Sequence, residues 1–267
     1  MEYGALLNKL GRADSQPGAW GGAWTLASSI QLARRGIERA FHWGYGDRDF
    51  ANGRTICTKP LSRCGLYGGG LWVAAAAGHL FAADDATILH AENSTNSASA
   101  RAPNDGGMSA SGIGGWGAGG ELRLLITLFD PRKDRHSLAK VTVVFDRPAE
   151  WTRRPHLSGR TMLLNHSTSV YDAIFRDAAA AGTLASASDP NVYTLKRMLT
   201  GAGVARTEAA AERWLSMQNQ TFSPSEWTDA TKPDAWEVNC DDAATIECSV
   251  TFAAVAPTIV ALWLRPT

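Results

Sequence analysis

The chain has 267 residues, 45% of them apolar and 19% charged, a balance that belongs to a folded protein of one or two domains rather than a disordered one. Lysine plus arginine equals aspartate plus glutamate at 26 each, so no net field draws the chain to nucleic acid or to an anionic membrane. No apolar run approaches the ~18–20 residues of a membrane span, and MEYGALLNKLGRADSQPG has no long apolar stretch of the kind a secretory signal needs. A cytoplasmic placement is therefore the default expectation.

In chain order, residues 1–18 read as a strand end and a loop, closed by Gln16-Pro17-Gly18. From Gly22 to Arg35 the apolar residues Ala23, Trp24, Ala27, Ile30 and Ala33 recur at helical spacing, and Gly36 is placed to end that helix. Phe41-His42-Trp43 is a short segment running into a glycine turn, Gly44-Tyr45-Gly46-Asp47. Helix, short connection and strand in this order form the repeating unit of an α/β barrel or open α/β sheet. A second helix is expected between Leu66 and Ala83, and Asn93–Gly120, rich in Ser, Asn and Gly, reads as a long loop or a weakly patterned strand pair.

Glu121–Asp130 and Lys140–Asp146 alternate as strands do, with a shorter strand candidate at Met162–Leu164. Helices are expected at Val170–Ala181 and Val204–Met217, then strands at Thr245–Phe252 and Thr258–Leu264. Strands on both sides of a helical excursion suggest a β-sandwich with a helical insertion. The four cysteines form two local pairs, Cys57 with Cys64 and Cys240 with Cys248, at spacings unlike those of zinc sites. Short-loop disulfides and buried thiols both fit them.

Three blocks in order resemble the second half of glycoside hydrolase family 39, the β-xylosidases and α-L-iduronidases. Glu2-Tyr3-Gly4 before the Trp-rich helix is similar to the family's strand seven, which carries the nucleophile. Phe41-His42-Trp43-Gly44 resembles strand eight, and Leu66-Tyr67-Gly68-Gly69 the lead into the last barrel helix. Leu164–Tyr171, Asn191–Leu199 and the terminal Ala256–Leu264 resemble the helical insertion and last strand of the appended sandwich. The resemblance implies a partial (β/α)8-type barrel over 1–85, beginning near strand seven, and a β-sandwich over 86–267 with its helical insertion at about 167–222. The family's Asn-Glu-Pro acid/base motif does not occur in the sequence.

The implied activity is retaining β-glycoside hydrolysis, which needs two carboxyl groups ~5–5.5 Å apart. The resemblance nominates Glu2 as nucleophile; the alternative is a frayed terminus. Asp47, after the strand end, is the in-chain candidate to flank the sugar, with a solvated loop as its bland reading. Adjacent strand residues face opposite ways, so Trp43 is assigned as stacking platform, with His42 as a hydroxyl donor and Tyr45 extending the surface; core packing is the competing role. No cofactor and no metal is expected, since His79, His90, Asp84 and Asp85 fit no common ligand spacing. Gly112–Gly117 is not set between a strand and a helix as a phosphate loop would be. The expected partners are a carbohydrate substrate and either further copies of the chain or a complementing chain that completes the site. The rival expectation is a non-catalytic carbohydrate-binding or structural module.

Overall fold

The computed structural model describes residues 2–3, 18–37, 41–42, 68–82, 87–89, 108–131, 138–148, 151, 156–180, 204–228, 231–233, 236–240 and 247–267. These fall into two compact units. One is drawn from Met1–Ala75, Leu163–Ser223 and Pro257–Ile259, the other from Ala76–Met162, Pro224–Ala256 and Val260–Thr267.

The first unit is mainly helical. Strand β1 (Glu2–Tyr3) pairs in parallel with β2 (Phe41–His42), and helix α1 (Ala19–Arg34) lies between them in sequence. Parallel neighbours require such a crossover, because a tight turn can only join antiparallel strands. Trp20, Ala23, Leu26 and Ile30 bury one stripe of α1, and the residues beyond Ile30 are more exposed. The helix stops where the sequence says it should. Gly36 turns into the left-handed region at φ 73°. From there Gly36 N donates to Ala33 O at 3.0 Å and Ile37 N to Leu32 O at 3.1 Å, a glycine-closed helix end.

Helix α2 (Gly69–Phe81) starts in this unit, which also holds α3 (Val170–Ala180) and α4 (Val204–Phe222). The start of α2 lies directly on the start of α1. A Cβ added to Gly69 would sit 2.3 Å from Gly18 O and 2.7 Å from Gly22 N, so only glycine allows this approach. Trp72, fully buried, donates its indole N–H to Thr221 O at 3.1 Å and so ties α2 to the end of α4. Asp177 of α3 accepts from Trp214 Nε1 at 2.7 Å and pairs with Arg213, both on α4.

The second unit is built on two sheets. The larger has strand order β3-β4-β5-β11-β7-β8, from Thr87–Leu89, Ser109–Gly117, Glu121–Phe129, Thr258–Pro266, Leu157–Asn165 and Ser225–Thr228. The smaller has order β6-β10-β9, from Leu138–Asp146, Glu247–Val255 and Trp236–Cys240. Every pairing described in this unit is antiparallel. Both sheets feed one apolar core. Leu122, Leu124, Ile126 and Leu128 of β5 and Val260, Leu262 and Leu264 of β11 come from one side; Val141, Val250 and Phe252 come from the other. The two-residue period of these positions is what puts them on a single face. Aromatic rings finish the core. Trp116, Phe145 and Trp151 meet edge-on at 5.8–6.2 Å, and Trp236 stacks on Phe252 at 4.7 Å.

The fold is thus mixed α/β and dominated by antiparallel sheets, and the described strands form no closed barrel. Several boundaries differ from expectation. The Ser/Gly-rich stretch contains a nine-residue strand, β4, whose glycines leave room for β5: a Cβ on Gly114 would lie 2.8 Å from Leu124 Cδ2. Gly119 and Gly120, at φ 69° and 72°, close the β4–β5 hairpin. The Met162–Leu164 strand extends to Leu157–Asn165; β8, with Trp227 as its one large apolar residue, is not among the expected strands, nor is β9, although Trp236, Val238 and Cys240 alternate with Glu237 and Asn239. Cys240 and Cys248 are bonded as a disulfide between directly opposed residues of β9 and β10. Cys57 and Cys64 lie outside the described residues.

Candidate functional site

The nominated catalytic carboxylate, Glu2, is in β1, directly beside Phe41 of β2, and Tyr3 is beside His42. The β1–β2 pairing therefore brings Glu2 and Tyr3 beside Phe41 and His42, the segment nominated by resemblance as a strand end of the site. At backbone level Glu2 is paired with Phe41 and Tyr3 with His42, so Glu2 and His42 are one position out of register; Trp43, Tyr45 and Asp47 lie outside the described residues.

A second polar centre in the same unit escaped the sequence reading. Asp172, in the first turn of α3, accepts a hydrogen bond on Oδ2 from Ala19 N, the first residue of α1, at 2.8 Å. Its Oδ1 is 3.0 Å from His166 Nδ1. Gly18, the residue preceding α1, supplies no side-chain cap, and α1 has no acidic residue in its first turn. Asp172 fills both roles from a distant part of the chain, placing negative charge where the helix dipole favours it. Its own backbone N–H donates to Ser169 Oγ at 3.3 Å.

Ser169-Val170-Tyr171-Asp172 is a Ser-x-x-Asp helix start, and that pattern was the available signal. The turn before it is knitted by Asn165, whose Oδ1 accepts from Ser167 N at 2.9 Å and Thr168 N at 3.1 Å. Arg176 donates to His166 O at 2.6 Å. Chemically this is a positioning centre. The Asp172 carboxylate is held by a backbone N–H and an imidazole, and it fixes where α1 begins between the two short strands. Next to it, Tyr171 is fully buried, and burial pushes its phenol far above the ordinary value, so it stays neutral.

Among the described residues no group of His, Cys, Asp and Glu is arranged to hold a metal ion, and no helix is long and apolar enough to cross a membrane. His79 is an exposed residue near the end of α2.

No family model and no curated protein matches the sequence. Among solved structures the chain is similar in fold to a glycoside hydrolase. That structure is the bacterial orthologue of human α-L-iduronidase, described as catalytically competent without N-glycan modification. The similarity has a TM-score of 0.52 at 12% sequence identity and covers 94% of this chain and 39% of that one. The chain thus spans well under half the length of its structural neighbour, and the likeness is one of fold.

Proposed function

We propose that the protein is a glycoside hydrolase of the retaining β-glycosidase type, acting on a small β-glycoside. The observation that carries this reading is the parallel β1–β2 pair with α1 as its crossover, within a chain whose fold is similar to that of a glycosidase. In this reading β1 and β2 correspond to the last two strands of a family 39-type barrel, with residues 1–85 as its C-terminal part. Residues 86–267 are a β-sandwich with a helical insertion at about 167–222. Glu2 attacks the anomeric carbon to give a glycosyl-enzyme, and water then releases the sugar. Asp47 is the in-chain candidate to protonate the leaving oxygen, Trp43 and Tyr45 stack on the sugar's apolar face, and His42 donates to a hydroxyl. Self-association or a complementing chain supplies what the site lacks.

Purified protein is assayed on nitrophenyl β-xyloside, β-glucoside and β-galactoside beside Glu2→Gln. Hydrolysis that falls roughly a thousandfold or more in the variant supports the nucleophile assignment. Hydrolysis that survives the change removes Glu2 from the mechanism.

A specific observation favours a second reading, a carbohydrate-binding or structural module: the sequence has no Asn-Glu-Pro acid/base motif. In that case folded wild type cleaves none of the glycosides, while saccharides quench its Trp fluorescence on titration.

A further inference from the structure

Among the described strands β6 ends the order of the smaller sheet, with β10 as its neighbour on one side. It runs for nine residues, and its face away from the core presents Leu138, Lys140, Thr142, Val144 and Asp146. Natural sheets usually protect so long an edge strand with charges, proline or a covering segment. This one carries Lys140 and Asp146 outward but also exposes apolar side chains between them and at its start: Leu138 is 71% exposed and Val144 57%.

Its charges are also incomplete within one chain. Lys140 Nζ reaches Glu237 Oε2 at 3.3 Å across the exposed face. At the other end of the strand, Asp146 is directly opposite Glu247 in the β6–β10 register, and both are exposed. Like charges at directly opposed positions destabilise a sheet. An external cation beside Asp146 would reverse the sign of that interaction.

We propose that β6 pairs antiparallel with β6 of a second copy of this chain, joining the two small sheets into one continuous sheet. A two-fold ladder can be centred on Thr142, Val143 or Val144, since each keeps outward residues opposite outward residues. Only the register centred on Val143 sets Lys140 opposite Asp146 of the second copy, and symmetry makes the pair twice. In that register Thr142 lies against Val144, which covers the exposed valine, and Val141 faces Phe145 on the core side. The carboxylate left opposite Glu247 thereby gains its cation. The inference rests on the sheet alone and is independent of the glycosidase reading.

The test is the mass of the full chain in solution by sedimentation or light scattering, at about 0.1–50 μM. Wild type is expected to dimerise. Lys140→Glu and Asp146→Lys should each weaken the dimer about tenfold or more, because each opposes like charges twice. The double variant K140E/D146K should restore it. Asp146→Lys also removes the repulsion with Glu247, so its monomer should melt no lower than wild type, which separates lost pairing from lost folding. A second measurement uses Thr142→Cys together with Val144→Cys, which should oxidise to a covalent dimer. A monomeric wild type, a dimer indifferent to both single changes, or a double variant that stays dissociated would each overturn the proposal.

Discussion

The contact between the starts of α1 and α2 yields a prediction with a built-in control on the same helix. Gly69→Ala places a methyl 2.3 Å from Gly18 O, 2.7 Å from Gly22 N and 2.9 Å from Gly22 Cα. All three are backbone atoms, so no side chain can swing aside and the two helix ends must separate. Overpacking a close contact costs about 1–3 kcal/mol, and a rigid backbone neighbour puts this site at the upper end. The helix preference of alanine over glycine returns up to about 1 kcal/mol, leaving a net loss of about 2 kcal/mol. Gly78 lies in the same helix, is exposed, and an added Cβ there would meet nothing within 4 Å. Gly78→Ala should therefore stabilise by about 0.7 kcal/mol through the same preference.

The assay is thermal and urea unfolding followed by far-UV circular dichroism and by Trp fluorescence, with the urea slope compared between variants. A melting shift of roughly 4–8 °C downward for Gly69→Ala, and a small shift upward for Gly78→Ala, is expected. Equal effects at both sites would refute the reasoning, since helix preference alone would then account for them and the close approach of α1 and α2 would have no energetic weight.

Two further predictions concern single groups. Tyr171 is neutral in the folded protein at pH values where an unfolded chain has ionised its phenol, so above about pH 10 the unfolded state binds fewer protons and stability falls. The slope is about 1.4 kcal/mol per pH unit. In Tyr171→Phe that alkaline contribution disappears, as measured by denaturant midpoints between pH 8 and 11; an unchanged slope would contradict the burial argument. The Cys240–Cys248 bridge closes a short loop with a sequence separation of 8, for which chain entropy gives about 2.5 kcal/mol. Replacing both cysteines with alanine should lower stability by that order, and a neutral result would mean that the β9–β10 pairing holds its ends without the bond.

Elements with a run of apolar residues and a clear stop were readable in the sequence. Ala23, Trp24, Ala27, Ile30 and Ala33 announce α1 and Gly36 its end, although the buried stripe proves to be Trp20, Ala23, Leu26 and Ile30, with Ala33 exposed; the apolar run of β5 announces a strand, here buried on both faces. The elements that escaped are those whose reason for existing lies in a neighbour. Strand β4 has a glycine at four of its nine positions, and its pairing makes sense only beside Leu124 and Ile126 of β5, whose side chains occupy the vacated space. Strand β9 is short and partly exposed, and is held by its register against β10 and by the disulfide. Local propensity does not contain that information.

The candidate site divides the same way. The order of strand end, helix and strand around Glu2 and His42 could be read because the helix between them is long and closed by Gly36. What fixes that helix's first residue could not, because the capping carboxylate, Asp172, is 153 positions away from Ala19. Sequence reasoning looks for an N-cap at the residue before the helix, and here that residue is a glycine. A side chain at position 18 would strike the capping group, since an added Cβ would sit 2.6 Å from Asp172 Oδ2. The missing local cap is thus a consequence of the distant one. The same packing that leaves α1 without a cap of its own sets the start of α3 against the start of α1. A helix that reads in sequence as an excursion from the sheet thus supplies, through Asp172, the charge that caps α1.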